Sequence, residues 1–362
     1  MKLARNLSVV LLAIVVVGFA RRPLDDHFVE SMQERNLLPP PISLDTREEL
    51  GQTSLAIALG GLRPLVAAML NIQAHTHWEQ QDWYELEQTY RTIVALQPRV
   101  RYYWEIGSWH LYSNAYADYS DKPGVTEGRR RLRQKEFFEK GIAFLEQGVE
   151  QNPRDWRLYH LLGSALSSSH RPQNLERAEE CFARGYAESG VPRLQRFHAY
   201  CLSRIPARKA EAWKAIHAIW TGGEQHRKPT TQTVFFALQS WAGEAGYGLE
   251  DIFGSRVRAA AHLPDYWFRQ VEGFPMDGVS ETLTQLCEEF EVPRHLNPLL
   301  YPPEHVFERN PFTKQPFGTH PLTGKPRTRT WRNLWMNRPR DDYLLHLRSK
   351  NVGRRVQEPR NR

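Results

Sequence analysis

Two stretches of this chain share one spacing of helix-facing residues and helix stops. Leu86, Tyr90, Ile93 and Pro98 fall at intervals of four, three and five, and Gly141, Leu145, Gly148 and Pro153 repeat them. A third copy, Ala178, Phe182 and Gly185, keeps the first two intervals and closes on Gly190, with Pro192 just beyond. Steps of four and three hold side chains on one helix face, and the proline or glycine that follows stops the helix. Helices that end the same way again and again mark a stacked helical-repeat array. Tyr90, Leu145 and Phe182 are then the expected buried knobs between neighbouring helices. Arrays of this kind usually bind other chains rather than carry out chemistry.

The upstream halves repeat as well. Tyr103, Ile106, Gly107 and His110 precede one stop, and Tyr159, Leu162, Gly163 and Leu166 precede the next. In both, a bulky residue is followed by an aliphatic residue and a glycine, then by another large side chain. A glycine inside a helix costs about 1 kcal/mol against alanine, so close approach of a neighbouring helix is the expected return. In these residues the chain resembles the tetratricopeptide repeat family. That family's first helix carries an aromatic, Leu-Gly and a second aromatic, and its second carries small, aromatic and small residues before a proline. Leu86 and Gly141 stand where the family has alanine, and Ile93 is larger than its usual residue.

The resemblance covers residues 62–222 and implies an all-α chain, a right-handed α-solenoid of helix pairs. It also implies a concave groove lined by the first helix of each pair. Aligned on Gly107 and Gly163, the partner-binding residues would be Arg101, Trp104, Ser108 and Tyr112 from one repeat, with Arg157, His160 and Ser164 from the next. Arg101 and Arg157 take equivalent positions, and beside aromatics they suit a carboxylate or an acidic extended peptide. The alternative is that both arginines simply solvate helix starts.

Pro98 and Pro153 lie 55 positions apart, well beyond the repeat of about 34. The surplus falls in residues 118–134 (DYSDKPGVTEGRRRLRQ) and reads as a solvated loop with a longer helix after it. The three cysteines, Cys181, Cys201 and Cys287, form no CxxC pair. Cys181 sits among apolar repeat positions and reads as a buried free thiol, with a Cys181–Cys201 bridge as the alternative in an exported domain.

Residues 1–22 read as a signal-anchor or signal peptide. The run LSVVLLAIVVVGFA at 7–20 is unbroken by any polar residue except Ser8 and is flanked by Lys2, Arg5, Arg21 and Arg22. Its helix would span about 21 Å, short of a hydrocarbon core of about 30 Å, unless the arginines snorkel. The short tail ahead of it is expected to stay in the cytoplasm, which places the repeats outside the inner membrane of a bacterial envelope. Residues 23–61, with Leu38-Pro39-Pro40-Pro41, read as a stiff juxtamembrane connector.

Residues 223–300 read as a helical capping block, with helices expected at 230–245, 249–262 and 280–290, the last opened by Ser280. Residues 301–362 form a basic Pro/Arg-rich tail. From Pro303 onward there are 14 Lys/Arg against 5 Asp/Glu, whereas the rest of the chain holds 34 against 36. The whole net charge of +7 therefore resides in the tail, which could touch an anionic surface. Trp331 and Trp335 among its arginines suit a lipid interface or fold back onto the capping block.

No GxSxG, HExxH or GxGxxG occurs, and GTHPLTGKP at 318–326 lacks the glycine spacing and final Ser/Thr of a phosphate loop. His75, His77 and Glu79 are dense in ligand types, but side chains two apart on a helix diverge. No cofactor is implied. The expected function is a membrane-tethered scaffold for a protein or peptide partner. An envelope enzyme acting on a glycan, with its site in the C-terminal block, is the alternative. Nucleic acid binding through the tail conflicts with export.

Overall fold

The computed structural model describes residues 62–357 except 245, 312, 320–325 and 337, so the apolar run at 7–20 and the connector lie outside the described residues. Within them the chain is mostly helical, with strand confined to one two-stranded ribbon. None of the described helices is long and apolar enough to cross a membrane. The chain divides into two compact units, one ending at His110 but including 150–152, the other comprising the remainder from Leu111.

In the first unit, α1 (Arg63–Glu79) and α2 (Trp83–Leu96) pack side by side, and α3 (Arg101–Trp109) follows against α2. Pro64 opens α1 at a first-turn position, where its missing N–H costs nothing. The four–three spacing of α2 carries Leu86, Tyr90 and Ile93 into the core, as its period requires. Pro98 does more than stop α2. Its carbonyl accepts hydrogen bonds from Trp104 Nε1 at 2.8 Å and from Asn152 Nδ2 at 2.9 Å.

After α3 the chain continues through a π-type turn (His110–Ala115) into α4 (Tyr116–Asp121). The surplus between the first two prolines then goes into a long helix, α5 (Glu127–Gln151). Next come α6 (Trp156–Ser167), α7 (Leu175–Ser189), α8 (Pro192–Ser203) and α9 (Lys209–Thr221), with α7 packed on α6, α8 on α7 and α9 on α8. Asp155 caps α6 by accepting from Arg157 N at 3.0 Å, and Asn174 caps α7 in the same way. Gly190 ends α7 at φ +64°, where a side chain would be strained. Tyr90, Leu145 and Phe182 are all buried.

The second unit's main core begins at Ala199 and draws on residues as far as Leu347. It is filled from α10 (Pro229–Ala242), α11 (Leu249–Phe253), α12 (Arg256–Trp267) and α13 (Val279–Glu289), then from α14 (Trp331–Trp335) and α15 (Arg338–Gln357). Two helix boundaries differ from the expected ones. The single helix expected at 249–262 is two, because Gly254 adopts φ +80° and Ser255 caps a new start by accepting from Arg258 N. Ser280 is not the cap of α13, which opens one residue earlier behind Gly278 at φ +73°.

The ribbon pairs β1 (Val306–Phe307) antiparallel with β2 (Arg329–Thr330). It delivers Trp331 and Trp335 inward, 0% and 1% exposed, so neither is placed at a lipid surface. Trp335 Nε1 donates to Asp265 Oδ1 at 3.0 Å, Arg340 pairs with the same carboxylate, and Tyr343 donates to the Ala260 carbonyl. These bonds fix the tail onto α12.

The close approach expected of Gly163 is present. A Cβ there would lie 2.9 Å from Phe182 Cε1 and Cζ and 3.1 Å from the Ala178 carbonyl. Phe182 is buried, and the Ala178 carbonyl beside it is backbone that cannot turn aside. Gly163→Ala should therefore destabilise the fold by about 1–3 kcal/mol despite alanine's better helix propensity. Gly128→Ala, near the start of α5 with nothing within 4 Å, should instead be neutral or stabilising by up to about 1 kcal/mol. Urea denaturation of the two variants checks this, and a stabilised Gly163→Ala would contradict the packing.

Burial, with a smaller contribution from His75, pushes the His110 imidazole down to about 4, below the ordinary 6.5. Between those values the unfolded chain binds more protons, so stability rises with pH across that window. His110 should thus contribute fully above about pH 6.5 and lose its contribution as pH falls toward 4. His110→Gln should flatten that part of the stability–pH curve; an unchanged slope counts against the burial argument.

Candidate functional site

The seven residues expected to line a groove are divided between the units. Arg101, Trp104 and Ser108 belong to the first and the other four to the second. Trp104 and Ser108 are buried, the indole bonded to Pro98 and the hydroxyl donating to the Glu105 carbonyl at 2.9 Å. Arg101 and Arg157 each stand in the first turn of a helix, where a cation opposes the helix dipole. Each leans on a nearby carboxylate, Arg101 on Glu105 at 3.8 Å and Arg157 on Asp155 at 4.0 Å. Tyr112 is buried in the second unit, with the Arg171 guanidinium over its ring at 5.4 Å.

His160 and Ser164 lead to a different feature. His160 stacks on Phe197 at 5.8 Å between ring centres and lies beside Phe182. Burial and the Arg193 charge hold its imidazole below its ordinary value. One turn on, Ser164 stands on the rim of an open cleft of about 350 Å³ that lies wholly in the second unit. The exit of α6 supplies Ser167, Ser168 and Ser169, and α7 and α8 supply Phe182, Phe197, Tyr200 and Arg204. Arg269, Glu272, Phe274 and Arg332 close the far wall.

Three guanidinium groups converge on Glu272. Arg204 Nε donates to its backbone carbonyl at 2.6 Å, while Arg269 Nη2 meets Oε2 at 3.2 Å and Arg332 Nη1 pairs with Oε1. Three positive charges against one negative leave the cluster at +2. The phenyl ring of Phe274 gives it a base, with the Arg269 and Arg204 guanidinium carbons at 4.1 and 5.3 Å from the ring centre. Such stacking leaves guanidinium edges free to hydrogen-bond.

Arg204 is the deepest of the three, 8% exposed, and its Nη1 donates to the Ser167 carbonyl at 3.0 Å. Its Nη2 is buried and has no hydrogen-bond partner among the described residues. Desolvation lowers the guanidinium pKa, but arginine remains a cation. A buried N–H that faces no acceptor is costly, by about 1–3 kcal/mol or more for a charged group. Beside it, burial pushes the Cys201 thiol up to about 12, so it is protonated and unreactive at neutral pH. Tyr200 shares a 2.7 Å hydrogen bond with Thr231, and burial raises its phenol as well.

The cleft therefore has a cationic floor, an aromatic wall of Phe182, Phe197 and Phe274, and a hydroxyl-rich rim. A lining of that kind is chemically suited to an anion. Sequence periodicity picked out only Ser164 of its lining residues as a binding residue. Two faint signals were present: the run Ser167-Ser168-Ser169-His170 at a helix exit, and Arg269–Glu272 at a spacing that pairs side chains on one helical turn.

The three cysteines are free and buried, with no Cys181–Cys201 bridge. His75 pairs with Glu79 at 3.4 Å while His77 bonds toward Gln73, so the two imidazoles serve different partners. Among the described residues no group of three His, Cys, Asp or Glu side chains is placed to hold a metal ion. Comparison with protein-family models, with curated proteins and with solved structures finds no match to this chain.

Proposed function

We propose that the chain is a membrane-tethered helical-repeat scaffold of tetratricopeptide-like helix pairs. It holds an anionic segment of a protein or peptide partner in the bacterial envelope. The observation that carries this reading is the guanidinium cluster at the cleft floor, with one donor buried and unspent. The repeat spacing from Leu86 to Gly190 supports the solenoid, and the apolar run at 7–20 supports the tether. Arginine is the side chain best suited to carboxylates and other planar or multi-oxygen anions.

The competing reading, a glycan-directed enzyme, calls for a pair of carboxylates flanking the bond to be broken. Among the cleft's lining residues there is one carboxylate, Glu272, and its oxygens are occupied by Arg269 and Arg332. That arrangement favours binding over acid–base work. Arg101 and Arg157, tied to carboxylates of their own, are assigned a weaker steering role in this account.

Fluorescence anisotropy of the full chain in detergent micelles with a glutamate-rich labelled peptide tests the reading. Arg332→Gln and Arg269→Gln should each weaken binding about tenfold, equivalent to about 1.4 kcal/mol. Reversing Arg101 and Arg157 to Glu should change it no more than about threefold. Affinity should also fall with added salt, since charges in partly exposed sites are screened over about 10 Å at 0.1 M. Undiminished binding by both cleft variants would overturn the assignment of the cleft.

A further inference from the structure

Resting on the anion-binding reading of this cleft, we infer that the group it receives is a dianionic phosphate monoester carried on the partner segment. Charge is the first argument. With Glu272 counted, the cluster retains +2, so a single carboxylate would leave one positive charge uncompensated. A phosphate monoester carries about −1.5 to −2 at neutral pH and matches the residual.

Geometry is the second argument. The cleft already contains a carboxylate, Glu272, and it is satisfied from one side by Arg269 and Arg332. Arg204 lines the cleft with Nη2 buried and unpartnered among the described residues, and its Nη1 bond to the Ser167 carbonyl sets the serine-bearing segment beside the arginines. A carboxylate is planar and offers two oxygens. A phosphate monoester is tetrahedral and offers three terminal oxygens. It can accept from arginine and serine donors of the lining together.

The rim itself is the third argument. Ser164, Ser167, Ser168 and Ser169 all line the cleft, and Ser164 and Ser169 are exposed. Hydroxyls donate to phosphate oxygens without adding charge, so they complete a shell around a dianion that three guanidiniums have nearly neutralised. The aromatic wall of Phe182 and Phe197 would flank the segment bearing the phosphate.

The test compares two peptides of identical sequence, one with phosphoserine and one with glutamate at the central position, titrated calorimetrically into the full chain in micelles. The phosphoserine peptide should bind at least tenfold more tightly. Its affinity should fall as pH drops through about 6, where the phosphate takes up its second proton. Inorganic phosphate should displace it. Ser168→Ala with Ser169→Ala should cut the phosphoserine preference several-fold and leave the glutamate peptide little changed. These surface positions are chosen because Arg204→Gln also removes two bonds to backbone carbonyls and can fail to fold. Equal affinity for the two peptides, lost in Arg332→Gln, overturns the phosphate assignment and leaves the anion reading standing. No binding by either peptide overturns both.

Discussion

The second unit depends on one buried guanidinium. Arg204 lies at the end of α8 and donates in two directions, to the Ser167 carbonyl at the exit of α6 and to the Glu272 carbonyl beyond α12. These acceptors lie 37 and 68 positions away in sequence, so a single side chain joins the repeat-like helices to the C-terminal block. Hydrogen bonds from a charged donor contribute about 1.5–3 kcal/mol each. They offset a desolvation penalty that neutral carbonyls alone do not cancel, and the Glu272 carboxylate supplies the rest of the attraction. What remains is the unpartnered Nη2. A fold optimised for stability alone would have given it an acceptor, and it is this departure on which the proposed binding role draws.

The cleft wall follows from a packing decision made elsewhere. Gly163 lets α7 come close enough for the Phe182 ring to lie against the α6 backbone. That ring then meets Phe197 edge-on at 5.3 Å, and Phe197 stacks on His160. Both phenylalanines line the cleft. A glycine placed for helix packing therefore helps set the apolar wall of the cleft.

Much of the fold was legible because it is periodic. The four–three spacing located α2, α5 and α7, and the buried positions of Tyr90, Leu145 and Phe182 follow from it. The break at Gly254 was not legible, since a glycine inside an apolar-periodic window is as often tolerated as it is a stop. Trp331 and Trp335 illustrate the limit of composition. Arginines around them left a lipid interface and a fold back onto the capping block both open, and the second holds because of Asp265 and Phe268, some 60 to 70 residues upstream. The cleft was least legible of all, because five separate stretches of chain supply it. Periodicity assigns a face to a helix, but it does not say which faces converge. It put Trp104 and Ser108 in a groove, although hydrogen bonds to Pro98 and Glu105 turn both inward.

The central claim is that the cleft floored by Arg204 is a receptor for a tetrahedral oxyanion. Anomalous diffraction from crystals of the full chain soaked in tungstate tests it most directly, because the heavy atom marks the anion's position without reference to any partner. The account predicts one dominant peak in the cleft, beside the arginine cluster and the serine rim, and its loss in Arg332→Gln crystals. An empty cleft, with tungstate held only by other surface arginines, would contradict it.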